Sequence, residues 1–546
     1  MNKKYLVYVP VLLALALIAG LFLGNALNRS GQPLQRNIKF SAGNKLSAIL
    51  NLVESAYVDS INTSEIIEQT IPLMLKKLDP HSTYIPARNM QEVEEEMQGN
   101  FSGIGVQFSI LEDTVIIIDV ISGGPSHKLG LLAGDRIVLV NDSNIAGVGI
   151  KNEDVLKLLR GQKGTKVKVS NLRKGYEDFF DFEITRGDIP INSVDVSYMI
   201  DNETGFIKVS RFAEQTYKEF MEAMMKLEKS GAIKVIIDLR GNPGGYLAAV
   251  IRIVDEFLEK DEPILITRGK SQPEKVYNAS SRAAFAGKQV IVLQDEFSAS
   301  ASEIFAGALQ DNDRGIVIGR RSFGKGLVQE QIPFSDGSAV RLTVARYYTP
   351  SGRSIQKPYN DGSDKYFEDL FERMVHGEML VADSIQFADS LKYYTKKGRA
   401  VYGGGGIMPD IFVPADTSGR SNYFNRIYQQ GIVYQFAFQY SDQHRGYLTS
   451  LKTASEIQRW LGNQKVLDSF VRFAAGKGIP YDAEGLKASG HIIETQVKAY
   501  IARNIIGEEG FYPIIQQIDK TLLKAIEVSG QNLMVESLFT SKSPAF

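Results

Sequence analysis

The chain of 546 residues contains no cysteine. Disulfide bonds, thiolate metal ligands and a cysteine nucleophile are therefore excluded, and the fold does not depend on the redox state of its compartment. The sequence also lacks an excess of either charge, because 62 basic residues nearly cancel 63 acidic ones. A general attraction to nucleic acid is therefore not predicted. Any nucleophile in this chain must be an oxygen or a nitrogen.

Long hydrophobic runs are scarce, and the clearest is residues 5–24, which carry no charged residue. At about 20 residues the run is long enough to cross a bilayer as a helix. Its exit lacks the small-x-small pattern of a cleaved signal peptide, so an uncleaved anchor is favoured. Lys3 and Lys4 precede the run and Arg29 follows it, which leaves the amino terminus in the cytosol by the positive-inside rule. We expect a single-pass anchor in the cytoplasmic membrane, with the rest of the chain on the periplasmic or other extracytoplasmic side.

Changes of pattern along the chain predict several folding units in a mixed α/β, multidomain fold. Short strand-like runs indicate a β-rich module, and strands that alternate with helices indicate an α/β core. The helical ends permit a homodimer. The predicted segments are the membrane anchor (1–29), a tether with a helical amino-terminal region (30–95), the β-rich module (96–186), the α/β core (187–420) and a helical carboxyl-terminal region (421–546).

Three serines lie where an apolar strand gives way to a helix, within residues 293–310. A hydroxyl at such a junction can use the free N–H groups and the positive dipole of the helix to stabilise an oxyanion, which suits acyl transfer. The same residues also fit a capping box, in which Ser300 satisfies backbone donors and Glu303 reaches back to it. Both interpretations stay open on this segment alone.

A second segment places Lys325 between two glycines. A lysine in such a tight turn can approach another part of the backbone and, if buried, lose its proton and act as a general base. Residues 319–325 also fit the start of a phosphate-binding loop, but Gly326 stands where a Ser or Thr would hold magnesium, and the next residues favour a strand. Nucleotide binding is therefore rejected, and a solvated lysine in a surface loop is the remaining alternative.

Residues 297–329, FSASASEIFAGALQDNDRGIVIGRRSFGKGLVQ, resemble the signature of the carboxyl-terminal processing peptidases, also called tail-specific proteases. The resemblance implies a serine endopeptidase with a Ser-Lys dyad, in which Ser300 is the nucleophile and Lys325 the base. In related enzymes a glutamine four residues beyond the lysine supports it, which implies the same role for Gln329.

Residues 236–247, IIDLRGNPGGYL, are similar to the glycine loop of that family, which supplies one N–H of the oxyanion hole. Glycines there allow bare backbone to approach a substrate carbonyl, and an ordinary strand-to-helix turn is the alternative. Gly244 is the first choice for that donor and Gly245 the second, with Ala301 N–H as the other donor. His81 belongs to a segment that also resembles the family, but we expect a structural histidine in the helical amino-terminal part.

Residues 103–108 and 123–141 resemble a PDZ domain. Successive N–H groups around Ile104, Gly105 and Val106 can receive a terminal carboxylate, while the following strand pairs with the peptide. The module is thereby predicted to bind the carboxyl-terminal tails of proteins. A structural β-module without a ligand is the alternative.

Together these features predict a serine endopeptidase that recognises the exposed carboxyl-terminal tails of envelope proteins and cleaves them through an acyl-enzyme. No metal, cofactor or nucleic acid is part of this prediction. Two alternatives remain: a catalytically silent PDZ scaffold, and an amidase or esterase that uses the same Ser-Lys pair on small or cell-wall substrates. A preference for free over amidated carboxyl ends would be expected of the endopeptidase alone.

Overall fold

The computed structural model describes residues 14, 16, 18–20, 45–121, 123–385 and 388–531. Most of the predicted anchor at residues 5–24 lies outside this set. Among the described residues, no helix combines the length and the apolar character that a membrane span requires. The described residues divide into two compact units, one up to residue 71 and the other from residue 72 onwards.

Helices occupy the amino-terminal region where apolar residues recur at intervals of three and four. None of the residues of the first helix is buried. A short strand, a further helix and a second strand then lead to the β-rich module. These elements are α1 (Lys45–Ala56), α2 (Thr63–Leu75), β1 (Thr83–Ile85), α3 (Ala87–Gln98) and β2 (Asn100–Gly103).

The β-rich module is an antiparallel sheet with two helices, as the alternating pattern predicts. Its elements are β3 (Val106–Leu111), β4 (Thr114–Val120), α4 (Pro125–Leu129), β5 (Arg136–Val140), β6 (Ser143–Asn144), α5 (Asn152–Leu159), β7 (Lys166–Leu172) and β8 (Phe179–Thr185). The strand order is β3-β4-β5-β7-β8, with β6 beside β5. Because β3 pairs only with β4, its other edge is unpaired within this sheet.

The α/β core contains a six-stranded sheet whose central strands are parallel. Its first elements are β9 (Gly187–Pro190), β10 (Val194–Met199), β11 (Thr204–Val209), α6 (Thr216–Lys229), β12 (Lys234–Asp238), α7 (Leu247–Asp255), β13 (Pro263–Gly269), β14 (Lys275–Asn278), β15 (Gln289–Gln294), α8 (Ala301–Asp311) and β16 (Gly315–Gly319). The strands β12, β15 and β16 are runs of buried apolar residues rich in valine and isoleucine, as expected of parallel strands covered on both faces. Every residue of α8 is buried, which places this helix inside the core.

A second sheet joins two strands from the later part of the core to β1, β13 and β14. The remaining elements are β17 (Leu327–Pro333), β18 (Ala339–Tyr348), α9 (Ser363–Val375), β19 (Lys392–Tyr394), β20 (Ala400–Tyr402) and β21 (Ile411–Phe412). The large sheet has the order β10-β11-β12-β15-β16-β21. The second sheet has the order β1-β18-β13-β14, and β17 also pairs with β18. The predicted strand after Lys325 is confirmed as β17, which agrees with the rejection of a phosphate-binding loop.

The carboxyl-terminal region is helical, as predicted, and contacts both the β-rich module and the core. Lys174 of the module pairs with Asp442 at 3.3 Å, and Lys226 of the core pairs with Glu509 at 2.9 Å. The helices are α10 (Asn422–Gln429), α11 (Ile432–Leu448), α12 (Ala454–Gly462), α13 (Val466–Gly476), α14 (Ala483–Ile506), α15 (Glu508–Ile515) and α16 (Lys520–Gly530).

Candidate active site

Three loops that follow neighbouring parallel strands meet at one edge of the large sheet. Strand β12 pairs with β15, and β15 pairs with β16, all in the same direction. The carboxyl ends of parallel strands therefore bring together the loops at residues 239–246, 295–300 and 320–326. Crevices at such an edge are the usual ligand sites of open α/β sheets.

Ser300 occupies the junction between β15 and α8 in an unusual backbone conformation. Its φ of 54° and ψ of −112° lie in a region that residues with a side chain rarely adopt. Strain of this kind concentrates at functional sites, and a sharp strand-to-helix turn is one known way of exposing a nucleophilic hydroxyl. Because α8 starts at the next residue, the partial positive charge of its amino terminus lies beside Ser300.

Glu303 joins the Ser300 turn to the Lys325 loop. Its carboxylate accepts a hydrogen bond from the N–H of Ser300 at 2.8 Å, as the capping pattern predicts. It also accepts from the Ser322 hydroxyl at 2.5 Å, from Gly324 N–H at 2.7 Å and from Lys325 N–H at 2.9 Å. Burial raises the pKa of Glu303 to about 7, although these four donors oppose the shift. The sequence predicts only the first of the four contacts.

Tyr347 makes a second connection between the same two loops. Its buried hydroxyl donates to the backbone carbonyl of Ser300 at 3.0 Å and also lies within hydrogen-bond distance of the carbonyl of Lys325. Burial raises the pKa of this phenol well above its usual value, so the hydroxyl keeps its proton. Two side chains, Glu303 and Tyr347, therefore hold the backbones of Ser300 and Lys325 together.

Lys325 lies in an environment that favours its neutral form. Burial lowers the pKa of its amine, and the guanidinium of Arg341 lowers it further, while Glu303 and Asp79 act in the opposite direction. The amine donates to Gln329 Oε1 at 3.1 Å. A solvated surface lysine, the alternative left open by the sequence, does not match this partly buried position.

Gln329 is itself oriented by the segment around His81. Its Nε2 donates to the His81 carbonyl at 2.5 Å, which leaves Oε1 facing the lysine. The expectation that His81 lies in a helical segment is wrong, because this residue lies in the bend between α2 and β1. Its Nε2 is 2.9 Å from the Tyr366 hydroxyl, and burial, aided by the charge of Lys325, lowers its pKa to about 4. His81 thus supports Gln329 through its backbone, which is a structural role.

The glycine loop approaches Ser300 so closely that a side chain would not fit. A Cβ on Gly244 would come within 2.7 Å of Ser300 Cβ, and a Cβ on Gly245 would come within 1.9 Å of the Phe212 carbonyl oxygen. The first choice of oxyanion donor is not supported, because Gly244 N–H already donates to Asn242 Oδ1 at 2.8 Å. Over the described part of the chain, the N–H groups of Gly245 and Ala301 have no hydrogen-bond acceptor.

Ser300, Lys325 and Gln329 line one cleft of about 1010 Å³, together with the glycine loop. We call it the Ser300 cleft, defined by its floor of Ser300, Ala301, Gly244, Gly245 and Lys325. All the residues predicted for the dyad and the oxyanion hole thus come together.

The residues predicted to bind a peptide lie elsewhere, in the β-rich module. Ile104 and Gly105 form the loop before β3, and within the described chain their N–H groups have no hydrogen-bond acceptor. Val106 begins the unpaired edge of β3. Val106 packs against a buried cluster that includes Val155 and Leu159 of α5. We call this loop, edge strand and helix the PDZ groove.

Comparison with known protein families accounts for both sites. Peptidase family S41 matches residues 203–361, and a PDZ domain matches residues 102–184. A family of unknown function (DUF8443) matches residues 423–507. The chain is thus a serine-type peptidase with a PDZ domain.

Named relatives narrow this class. A carboxy-terminal-processing protease of Bartonella bacilliformis is 35% identical over 347 residues, which cover 62% of this chain and 79% of the relative. The carboxy-terminal processing protease CtpB of Bacillus subtilis is 35% identical over 58% of this chain and 66% of the relative. The chain belongs to the carboxy-terminal processing proteases of family S41. A solved photosystem II D1 C-terminal processing protease is 26% identical over 58% of this chain and 91% of that chain, with a TM-score of 0.33.

Proposed function

We propose that this protein is an endopeptidase that cleaves proteins near their carboxyl-terminal tails by means of a Ser300–Lys325 dyad. The observation that carries the proposal is the double connection of the two residues. Glu303 accepts hydrogen bonds from both backbone N–H groups, and Tyr347 lies at both carbonyls. A surface lysine and a capping serine would not require such a connection.

In the proposed reaction, neutral Lys325 takes the proton of the Ser300 hydroxyl while the serine oxygen attacks the scissile carbonyl carbon. The carbonyl π electrons move to oxygen, and the N–H groups of Gly245 and Ala301 stabilise the resulting oxyanion. When the intermediate collapses, protonated Lys325 gives its proton to the departing amine. The acyl group is now attached to Ser300 as an ester, and water attacks this ester. Lys325 accepts a proton from the water and gives it to the departing Ser300 oxygen. Gln329 holds the amine of Lys325 in place during both steps.

The PDZ groove is proposed to receive the terminal carboxylate of the substrate. The N–H groups of Ile104 and Gly105 would donate to the carboxylate, and the edge of β3 would pair with the preceding residues. Support for this comes from the unpaired edge and from the apolar cluster beneath it. The adjoining chain would extend into the Ser300 cleft.

We further propose that the protein acts on envelope proteins outside the cytoplasmic membrane, held there by an anchor at residues 5–24. This part rests on the uncharged run and the flanking lysines alone. Assembly into a homodimer through the helical terminal regions likewise remains a prediction.

Hydrolysis of matched peptides tests the function. An unstructured peptide with an apolar carboxyl-terminal residue is compared with the same peptide amidated at that end. We expect faster hydrolysis of the free acid at low concentration, and no hydrolysis of either peptide by Ser300→Ala. Equal rates on the two peptides would favour the amidase or esterase alternative, and no hydrolysis by the parent protein would favour the silent scaffold. Unchanged hydrolysis by Ser300→Ala would exclude the dyad.

A further inference from the structure

The carboxyl-terminal helical region reaches the glycine loop through one ion pair. The Asp519 carboxylate accepts two hydrogen bonds from the guanidinium of Arg240, at 2.9 and 2.6 Å. Arg240 lies near the start of that loop and directly precedes Gly241. A two-point contact of this kind fixes the plane of the guanidinium as well as its distance. The region therefore touches the base of the loop that lines the Ser300 cleft.

A second contact fixes the side chain of Asp519 independently of Arg240. It is the residue before α16, and its side chain accepts a hydrogen bond from Leu522 N–H at 3.0 Å. An aspartate at this position caps the helix and is favoured by the helix dipole. The orientation of α16 is thus transmitted to the carboxylate that binds Arg240.

Arg240 belongs to a compact cluster of two cations and two anions. Its guanidinium also binds Asp238 at 2.6 Å, and the Lys208 amine lies 3.3 Å from Asp238 and contacts the Arg240 carbonyl. Although burial alone would raise it, the charges of Arg240 and Lys208 lower the pKa of Asp238. Without Asp519 this partly buried cluster would carry a net positive charge, which is costly away from water.

The loop that follows is fixed at successive points. Gly241 N–H donates to Asp295 at 2.9 Å, and Asn242 accepts from Gly244 N–H at 2.8 Å. The Asn242 carbonyl accepts from Ala299 N–H at 3.0 Å, beside Ser300. We expect a change in the direction of Arg240 to be passed along this short segment to the N–H of Gly245.

From this geometry, and on the basis of the proposed function, we infer that Asp519 is a positioning residue for catalysis. The carboxyl-terminal region holds the glycine loop in its working position by binding Arg240. This assigns a task to the part of the carboxyl-terminal region that follows the segment matched by the family of unknown function, residues 423–507. Asp519 acts through Arg240 and does not touch the substrate.

Asp519→Asn in the full chain tests the inference, because asparagine caps a helix as well as aspartate but lacks the charge. We expect kcat for an unstructured tail peptide to fall by about tenfold, since misplaced oxyanion donors weaken stabilisation of the transition state. KM and the affinity of the PDZ groove for the peptide should stay unchanged. Asp519→Glu, which keeps the charge, should recover part of the loss.

Glu509→Gln is the matched control, because Glu509 joins the same region to the core through Lys226 without approaching the glycine loop. We expect parent kinetics from this variant. An unchanged kcat in Asp519→Asn would overturn the inference. An equal loss of kcat in Glu509→Gln would overturn it too, and so would a loss of kcat that accompanies a lowered melting temperature in both variants. The parent protein and Ser300→Ala, assayed in parallel, separate this outcome from failure of the proposed function. That failure predicts either no hydrolysis by the parent or hydrolysis by Ser300→Ala.

Discussion

The Ser300 cleft and the PDZ groove both contain backbone N–H groups without an acceptor in the described chain, but the surroundings of those groups differ. In the cleft, buried side chains fix the backbone of the loops that carry Ser300 and Lys325. Glu303 alone accepts four hydrogen bonds from these two loops. In the groove, the N–H groups of Ile104 and Gly105 and the edge of β3 are left without acceptors in the described chain. Chemistry requires fixed atoms, whereas recognition of a peptide requires backbone that is free to pair.

This difference predicts that changes in the two sites affect separate quantities. A change in the cleft should alter the rate of bond cleavage with little effect on peptide affinity. A change in the groove should alter affinity for the tail while the dyad keeps its reactivity. The experiments below are ordered from the largest expected effect to the smallest.

Replacement of Lys325 should have the largest effect. Lys325→Met removes the base, and we expect hydrolysis to fall by roughly 10²–10⁴-fold, the usual contribution of general base catalysis. Lys325→Arg keeps a cation of similar length but cannot become neutral, so it should be equally inactive. Steady-state hydrolysis measures the loss, and fluorescence anisotropy with a labelled tail peptide should show unchanged affinity. Substantial activity in Lys325→Arg would contradict a neutral base.

A methyl group added in the PDZ groove should have a smaller effect than replacement of Lys325, and it should affect only the binding of the tail peptide. Gly105→Ala introduces a Cβ at a φ of +78° and within 2.9 Å of Ile189 Cδ1. We expect the affinity for a tail peptide to fall by about five- to tenfold, because the loop must shift and a left-handed residue with a side chain is itself strained by about 1–2 kcal/mol. Anisotropy measures the binding, and cleavage of saturating peptide should be unaffected.

Gly175→Ala is the control that distinguishes general backbone strain in the PDZ domain from a local effect at the groove. Gly175 has a similar φ of +87°, but a Cβ there meets no atom within 4 Å. It should leave tail binding unchanged. Equal losses of affinity in Gly105→Ala and Gly175→Ala would show that the effect reports general strain and not the groove.

Much of the fold was accessible to sequence reasoning, because its signals are local. Apolar runs such as those of β12 and β15, and the strand after Lys325, follow from residue type and period alone. The dyad is different. A serine at a helix start and a lysine between glycines each had an ordinary structural explanation, and only the resemblance of the longer segment associated them.

The supporting residues of the site could not be predicted in the same way. The S-x-x-E pattern predicted the contact of Glu303 with Ser300, but the other three donors lie about 20 residues further along and meet it only in the folded core. Tyr347 gave no local signal for its contact with two loops. Gly244 was preferred over Gly245 because sequence cannot show which N–H is already bound, and here Asn242 binds the N–H of Gly244. Asp519 lies beyond every motif.

The most direct test of the central claim is the pH dependence of covalent modification of Ser300. A peptidyl diphenyl phosphonate reacts with a serine hydroxyl when a base removes its proton, and intact-protein mass spectrometry followed by peptide mapping measures the rate and the position. The pKa of Lys325 is lowered by burial, so the rate should rise as the pH rises through that pKa and the amine loses its proton. Gln329→Glu places a negative charge beside the Lys325 amine and should raise the pKa of that amine, so the rate of modification should rise only at higher pH. An adduct on another residue, or identical pH profiles in the parent and Gln329→Glu, would contradict a Ser300–Lys325 dyad.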